Sequence, residues 1–208
     1  MKKIFLAILL AGVINFAPTI FNSEIFQNVS VAYAEISDNE VESTNKTRDG
    51  IVLANKKNYK EAIKKFTEAI KLNPNNADAY FQRGKAYYDL KNYEKAILDY
   101  TKAIELEPNK SILYSSRGSA YVKLENYEKA ILDYTKVIEL KPNDSGWYLV
   151  RGNAYTELKK YEQAIFDYNK AIELDPDDSR AYFFRGFCYQ ALGENEKAKA
   201  DFEKFRGK

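Results

Sequence analysis

The 208-residue chain is 45% hydrophobic and 30% charged, which excludes a largely disordered protein and a multi-span membrane protein. Its 32 Lys+Arg and 30 Asp+Glu leave a net charge of +2, so bulk electrostatics offer no case for a nucleic-acid partner, and none is predicted. There is no histidine and a single cysteine, Cys188, which excludes triad-type nucleophiles, imidazole zinc sites, an intramolecular disulfide and a cysteine-cluster metal site. No cofactor, metal or catalytic residue is predicted.

Residues 1–34 stand apart from the rest. Lys2 and Lys3 form a basic head, Ile4 to Ile14 is an apolar run, and Ala32-Tyr33-Ala34 is a small-x-small site. Together they read as a secretory signal peptide cut between Ala34 and Glu35, which places the mature chain in the cell envelope or outside the cell. The alternative is an uncleaved anchor reaching Phe21, interrupted by Asn15, Pro18 and Thr19. Its strictly apolar run is shorter than the roughly 20 residues a spanning helix needs. Residues 35–42, EISDNEVE, read as a flexible acidic tether.

Beyond the tether the chain repeats. Pro74, Pro108, Pro142 and Pro176 recur every 34 residues, as do Gly50, Gly84, Gly118, Gly152 and Gly186. Ala62, Ala96, Ala130, Ala164 and Ala198 keep the same period. The units are 43–76, 77–110, 111–144, 145–178 and a shortened 179–208. In the second, apolar residues at Tyr80, Gly84, Tyr87, Leu90, Ala96, Ile97, Tyr100, Ala103 and Ile104 follow a helical period, not a strand's alternation. Lys91-Asn92 breaks the first helix, Glu94 opens a second, and Pro108 ends it. Each unit is therefore predicted as two antiparallel helices, with Gly84 and Ala96 at their close crossing.

Tyr80, Arg83-Gly84, Tyr87, Leu90, Tyr93, Ala96, Tyr100, Ala103 and Pro108 resemble the tetratricopeptide repeat, W-x2-L-G-x2-Y…A-x3-F…P, with Tyr in the Trp and Phe places and Arg in the Leu place. The resemblance spans 43–208. It implies an all-α fold, a right-handed α-solenoid of antiparallel helix pairs, and a protein-interaction scaffold whose partner is a protein or peptide. It also implies a concave groove lined by the first helices. Carried over by phase, that groove holds Phe81, Lys85, Tyr88 and Asp89; Ser115, Ser119, Val122 and Lys123; Leu149, Asn153, Thr156 and Glu157; and Phe183, Phe187 and Gln190. The Lys/Asn/Arg carboxylate clamp of some relatives is not assembled, since its phases hold Thr47, Ile51, Gln82, Ile112 and Ser116. An enzyme using Asp89 and Glu157 is the competing class, but a repeating surface offers no enclosed pocket for paired acids.

The tyrosines fall mostly at repeating phases and read as packing residues, and Cys188, in phase with Ala120 and Ala154, as buried filler. Lys46 stands where later repeats have Tyr80, Tyr114, Tyr148 and Tyr182, which predicts a short or frayed first helix. Lys199 and Arg206 replace the isoleucines of earlier second helices, so the fifth repeat is predicted to cap itself and the chain to be monomeric. Arg83, Arg117, Arg151 and Arg185 are predicted to pair within their repeats with Asp99, Asp133, Asp167 and Asp201. Asp49 and Lys65 are predicted to form the same pair with reversed signs. At partly exposed sites each pair would be worth no more than about 1 kcal/mol.

Overall fold

The computed structural model describes residues 23–207 and, among these, contains ten α-helices and no strand. They are α1 (Ser23–Asn55), α2 (Tyr59–Leu72), α3 (Ala77–Asp89), α4 (Tyr93–Leu106) and α5 (Ser111–Lys123). The series continues with α6 (Tyr127–Leu140), α7 (Ser145–Glu157), α8 (Tyr161–Leu174), α9 (Ser179–Ala191) and α10 (Asn195–Arg206). Each odd-numbered helix packs on the even-numbered helix after it, and each pair packs on the next. First helices of neighbouring repeats also touch directly, α1 with α3, α3 with α5 and α7 with α9. The first helices are thus the more closely spaced layer, which makes theirs the inner, concave side.

The break within each repeat is a Schellman turn. After α3, the Asn92 N–H donates to the Tyr87 carbonyl and the Lys91 N–H to the Tyr88 carbonyl, both at 2.8 Å, with Lys91 at φ 60°. Lys57, Glu125 and Lys159 take the same left-handed backbone, and only the fifth repeat places a glycine there, Gly193. An L-residue in this region costs about 1–2 kcal/mol, part of which glycine's larger unfolded-state entropy offsets. Glu125→Gly should therefore raise stability by up to about 1 kcal/mol, read as a higher denaturant midpoint. Asn92 and Asn126 then cap the second helices by accepting the Lys95 and Lys129 N–H groups.

The glycines mark close crossings, but the group packed on them is a ring. A Cβ on Gly84, Gly118 or Gly152 would lie 2.7, 2.8 or 2.7 Å from the ring of Tyr100, Tyr134 or Tyr168. The alanine expected to fill the crossing contributes its backbone, with the Ala96 carbonyl 3.3 Å from the same point over Gly84. These tyrosines are 0–2% exposed and form the spine of the core.

The charge ladder forms in repeats two to five. Asp99, Asp133, Asp167 and Asp201 each take two hydrogen bonds, from Nε and Nη2 of Arg83, Arg117, Arg151 and Arg185, at 2.6–2.9 Å. The remaining guanidinium nitrogen reaches back one repeat, to Thr67, Thr101, Thr135 and Asn169 respectively. The pairs are more enclosed than predicted, with Asp side chains 1–8% and Arg side chains 13–19% exposed. Burial pushes the Asp133 and Asp167 carboxyls up against the pull of their arginines, while the carboxylate hydrogen bonds push Arg117 and Arg151 up. The reversed pair of the first repeat does not form. Lys65 reaches Glu68 at 3.2 Å, and among the described residues no ion pair joins it to Asp49.

The N-terminal region also departs from expectation. The first helix of the first repeat, predicted short or frayed, is at 33 residues the longest among the described residues. A buried polar network holds it against the second helix of its repeat. Ser43 Oγ donates to the Ala69 carbonyl (2.8 Å), and Asn76 Nδ2 donates to Ser43 Oγ (2.8 Å) and Thr47 Oγ1 (3.2 Å). Lys46 sits at the edge of this contact, 3.5 Å from Glu68. The tether predicted at 35–42 lies inside α1 with its side chains exposed, since no glycine or proline interrupts the stretch. Of the predicted signal peptide, residues 1–22 lie outside the described residues, and the Ala34–Glu35 junction falls within α1.

At the other end Lys199 and Arg206 are exposed, at phases where Ile131 and Ile138 are buried.

Candidate functional site: a cleft on the inner helix layer

Between α3 and α5 the inner layer opens into a cleft of about 380 Å³, lined by Phe81, Lys85, Tyr88, Asp89, Tyr100, Ile112, Ser116 and Ser119. The α3 side chains arrive at three- and four-residue steps and so share one face. The Phe81 and Tyr100 rings are 5.9 Å apart, and the Lys85 ammonium lies 5.7 Å from the Phe81 ring centre. Tyr88 is braced edge-on by Tyr93 at 5.2 Å.

Two charges on this face are uncommitted. Among the described residues neither Lys85 nor Asp89 belongs to an ion pair, although they are one turn apart. Lys N-terminal to the acid is the weaker order for such a pair. Asp89 is the last residue of α3, where the helix dipole disfavours an anion.

Tyr100 differs from Tyr168. The Tyr168 hydroxyl donates to Asn153 Oδ1 and lies 2.9 Å from Thr156 Oγ1. The phases that supply those partners hold Lys85 and Tyr88 in the second repeat, and the Tyr100 hydroxyl has no hydrogen-bond partner among the described residues. Tyr100 is nevertheless 2% exposed, and its surface borders the cleft. Burial, with the Asp89 charge adding to it, pushes the Tyr100 phenol well above its ordinary value, and burial beside Tyr93 pushes the Tyr88 phenol up.

Of the predicted groove residues, the structure gathers Phe81, Lys85, Tyr88, Asp89 and Ser119 into this cleft. Ser115 and Leu149, expected to be free of packing, are buried at 4% and 5%, because the neighbouring helix pairs cover them. Asn153 and Thr156 are engaged inward, by Tyr168 and, for Thr156, also by the Cys188 thiol at 3.4 Å. Val122 is half-buried, and Lys123, Glu157 and Gln190 are exposed. Phe183 and Phe187 form a second patch, 39% and 48% exposed, with Phe183 packed 5.0 Å from Phe205.

Sequence reasoning missed Tyr100, Ile112 and Ser116. Tyr100 was assigned to packing and the other two to a failed carboxylate clamp. The signal available was the mismatch in phase, Lys85 and Tyr88 where Asn153 and Thr156 later satisfy a tyrosine. A further row, Leu98, Leu132 and Phe166, repeats every 34 residues on the second helices and is 68–70% exposed. Among the described residues no acidic, cysteine or histidine group could hold a metal, and no helix is long and apolar enough to cross a membrane.

Family models agree with this architecture. The TPR repeat model matches residues 50–91 and 152–193, and tetratricopeptide-repeat models match 77–110, 111–144 and 180–208. A crystal structure of MamA protein superimposes with a TM-score of 0.75 at 26% identity, over 79% of this chain and 90% of that one. MamA from Desulfovibrio magneticus gives 0.74 at 22%, over 80% and 94%. YrrB, described as a TPR protein with an unusual peptide-binding site, gives 0.72 at 24%, over 82% and 88%. No curated protein matches the chain by sequence. No catalytic family is among these matches, and together with the paired helices they show that the chain belongs to the tetratricopeptide-repeat family.

Proposed function

We propose that the chain is a non-catalytic scaffold outside the cytoplasmic membrane that holds an extended peptide or helix of a partner protein along its inner helix layer. The observation that carries the reading is the α3–α5 cleft, where aromatic surface and uncommitted charges meet on the concave side. The exposed Phe183 and Phe187 give a second anchor on the same layer. Aromatic anchors in such positions dominate binding energies. Phe81→Ala with Phe183→Ala should reduce partner capture at least about tenfold with unchanged helicity. Retained capture would move the site off the inner layer.

Export follows from the basic head, apolar run and small-residue site. A membrane-tethered form is the second reading, and one observation favours it: α1 runs unbroken from Ser23 through Ala34–Glu35. N-terminal sequencing of the protein recovered from its envelope fraction should give Glu35 first. A chain beginning at Met1 would establish the tether instead.

A further inference from the structure

We infer that the α3–α5 cleft receives a basic side chain of the bound segment, its charge met by Asp89 and its N–H groups by the Tyr100 hydroxyl, against the ring of Tyr88. The inference rests on the groove reading above and adds the chemistry of the partner. Three observations point the same way. The Asp89 carboxylate is unpaired among the described residues and ends a helix where an anion is disfavoured, so nothing internal accounts for its charge. The Tyr100 side chain borders the cleft, and its hydroxyl lacks the Asn and Thr partners that Tyr168 has. A hydroxyl oxygen left without a partner accepts an incoming N–H. Tyr88 supplies a ring, which attracts a cation and suits a flat guanidinium best.

Lys85 is the opposing charge in the cleft. Its ammonium is drawn over the Phe81 ring, one turn from Asp89 toward the start of α3. It sets a direction, with the partner's basic residue at the Asp89 end. Ser116 and Ser119, from α5, add hydroxyls but no charge, and Ile112 closes the far wall.

The test is an NMR titration of the isotope-labelled full chain with acetyl-Gly-Ser-Arg-Ser-Gly-amide, and with the same peptide carrying Gln or Glu in place of Arg. The Arg peptide should shift the amide signals of 81–89 and 112–119. It should bind about fivefold more tightly than the Gln peptide. Asp89→Asn should abolish that preference, Tyr100→Phe should weaken binding where Tyr134→Phe does not, and Lys85→Ala should tighten it. Equal affinity for Arg and Gln, a preference for Glu that Lys85→Ala removes, or no shift with any peptide would each overturn the inference. The two readings separate cleanly. If Phe81→Ala with Phe183→Ala loses the natural partner while Asp89→Asn does not, the groove stands and the basic side chain is ruled out.

Discussion

Arg117→Ala should destabilise the array by about 3–5 kcal/mol, the cost of leaving one charge of a buried pair without its partner. Asp133 is 3% exposed and takes both its hydrogen bonds from Arg117, at 2.9 and 2.7 Å. Removing the guanidinium strands that carboxylate against the α5–α6 contact. It also breaks the bond from Arg117 to Thr101, the tie back to the previous repeat. The two losses can be told apart. Thr101→Val keeps the ion pair and should cost only about 0.5–1.5 kcal/mol. In a solenoid whose stability sums repeat and interface terms, Arg117→Ala should also split one cooperative unfolding step into two. Arg117→Asp with Asp133→Arg should recover part of the loss, though not the bond to Thr101. An Arg117→Ala stability within about 1 kcal/mol of the parent would contradict the account.

Gly118→Ala should also destabilise, by about 1–3 kcal/mol, although alanine is favoured over glycine in a helix by roughly 1 kcal/mol. The added methyl would lie 2.8 Å from the Tyr134 ring, which is 2% exposed and has no free space to move into. Gly118→Leu should be worse still and splay α5 from α6. Gly118→Ala with Tyr134→Leu should regain part of the loss, because a branched aliphatic chain can vacate the space over the Cβ. Ser119→Ala, one residue on, should be close to neutral for folding. A stabilised Gly118→Ala would show that the ring does not rest on the helix there.

Much of this architecture was legible in the chain. The 34-residue period of proline, glycine and alanine placed the helix pairs, because each of those residues answers a backbone or close-packing demand that recurs once per unit. The Arg–Asp pairs of repeats two to five form as the recurring phases of Arg and Asp suggested, although the sign reversal in the first repeat that favoured pairing within a repeat reflects no pair there. The sign reversal at Asp49 and Lys65 misled, since Lys65 had a nearer acid in Glu68 on its own helix. The long first helix was hidden because Ser43, Thr47 and Asn76 stabilise it by hydrogen bonds, and such a network leaves no apolar period to read.

The groove was only partly legible, for a geometric reason. Phase assigns a direction on one helix but not what the next repeat lays over it. Phe81, Ser115, Leu149 and Phe183 share a phase, yet Ser115 and Leu149 are buried while Phe183 is 39% exposed. A described repeat follows Ser115 and Leu149, and none follows Phe183. The cleft itself depends on Tyr100 from a second helix, a contribution that a search confined to first helices could not find.

Site-specific photocrosslinking in the intact cell tests the central claim most directly. A photoreactive residue would be placed at Ser116, on the cleft wall, and separately at Leu132, 70% exposed on a second helix. The account predicts one discrete protein adduct from Ser116, lost when Phe81→Ala and Phe183→Ala are added, and none from Leu132. The same adduct from Leu132 alone would contradict it and place the partner on the outer helices.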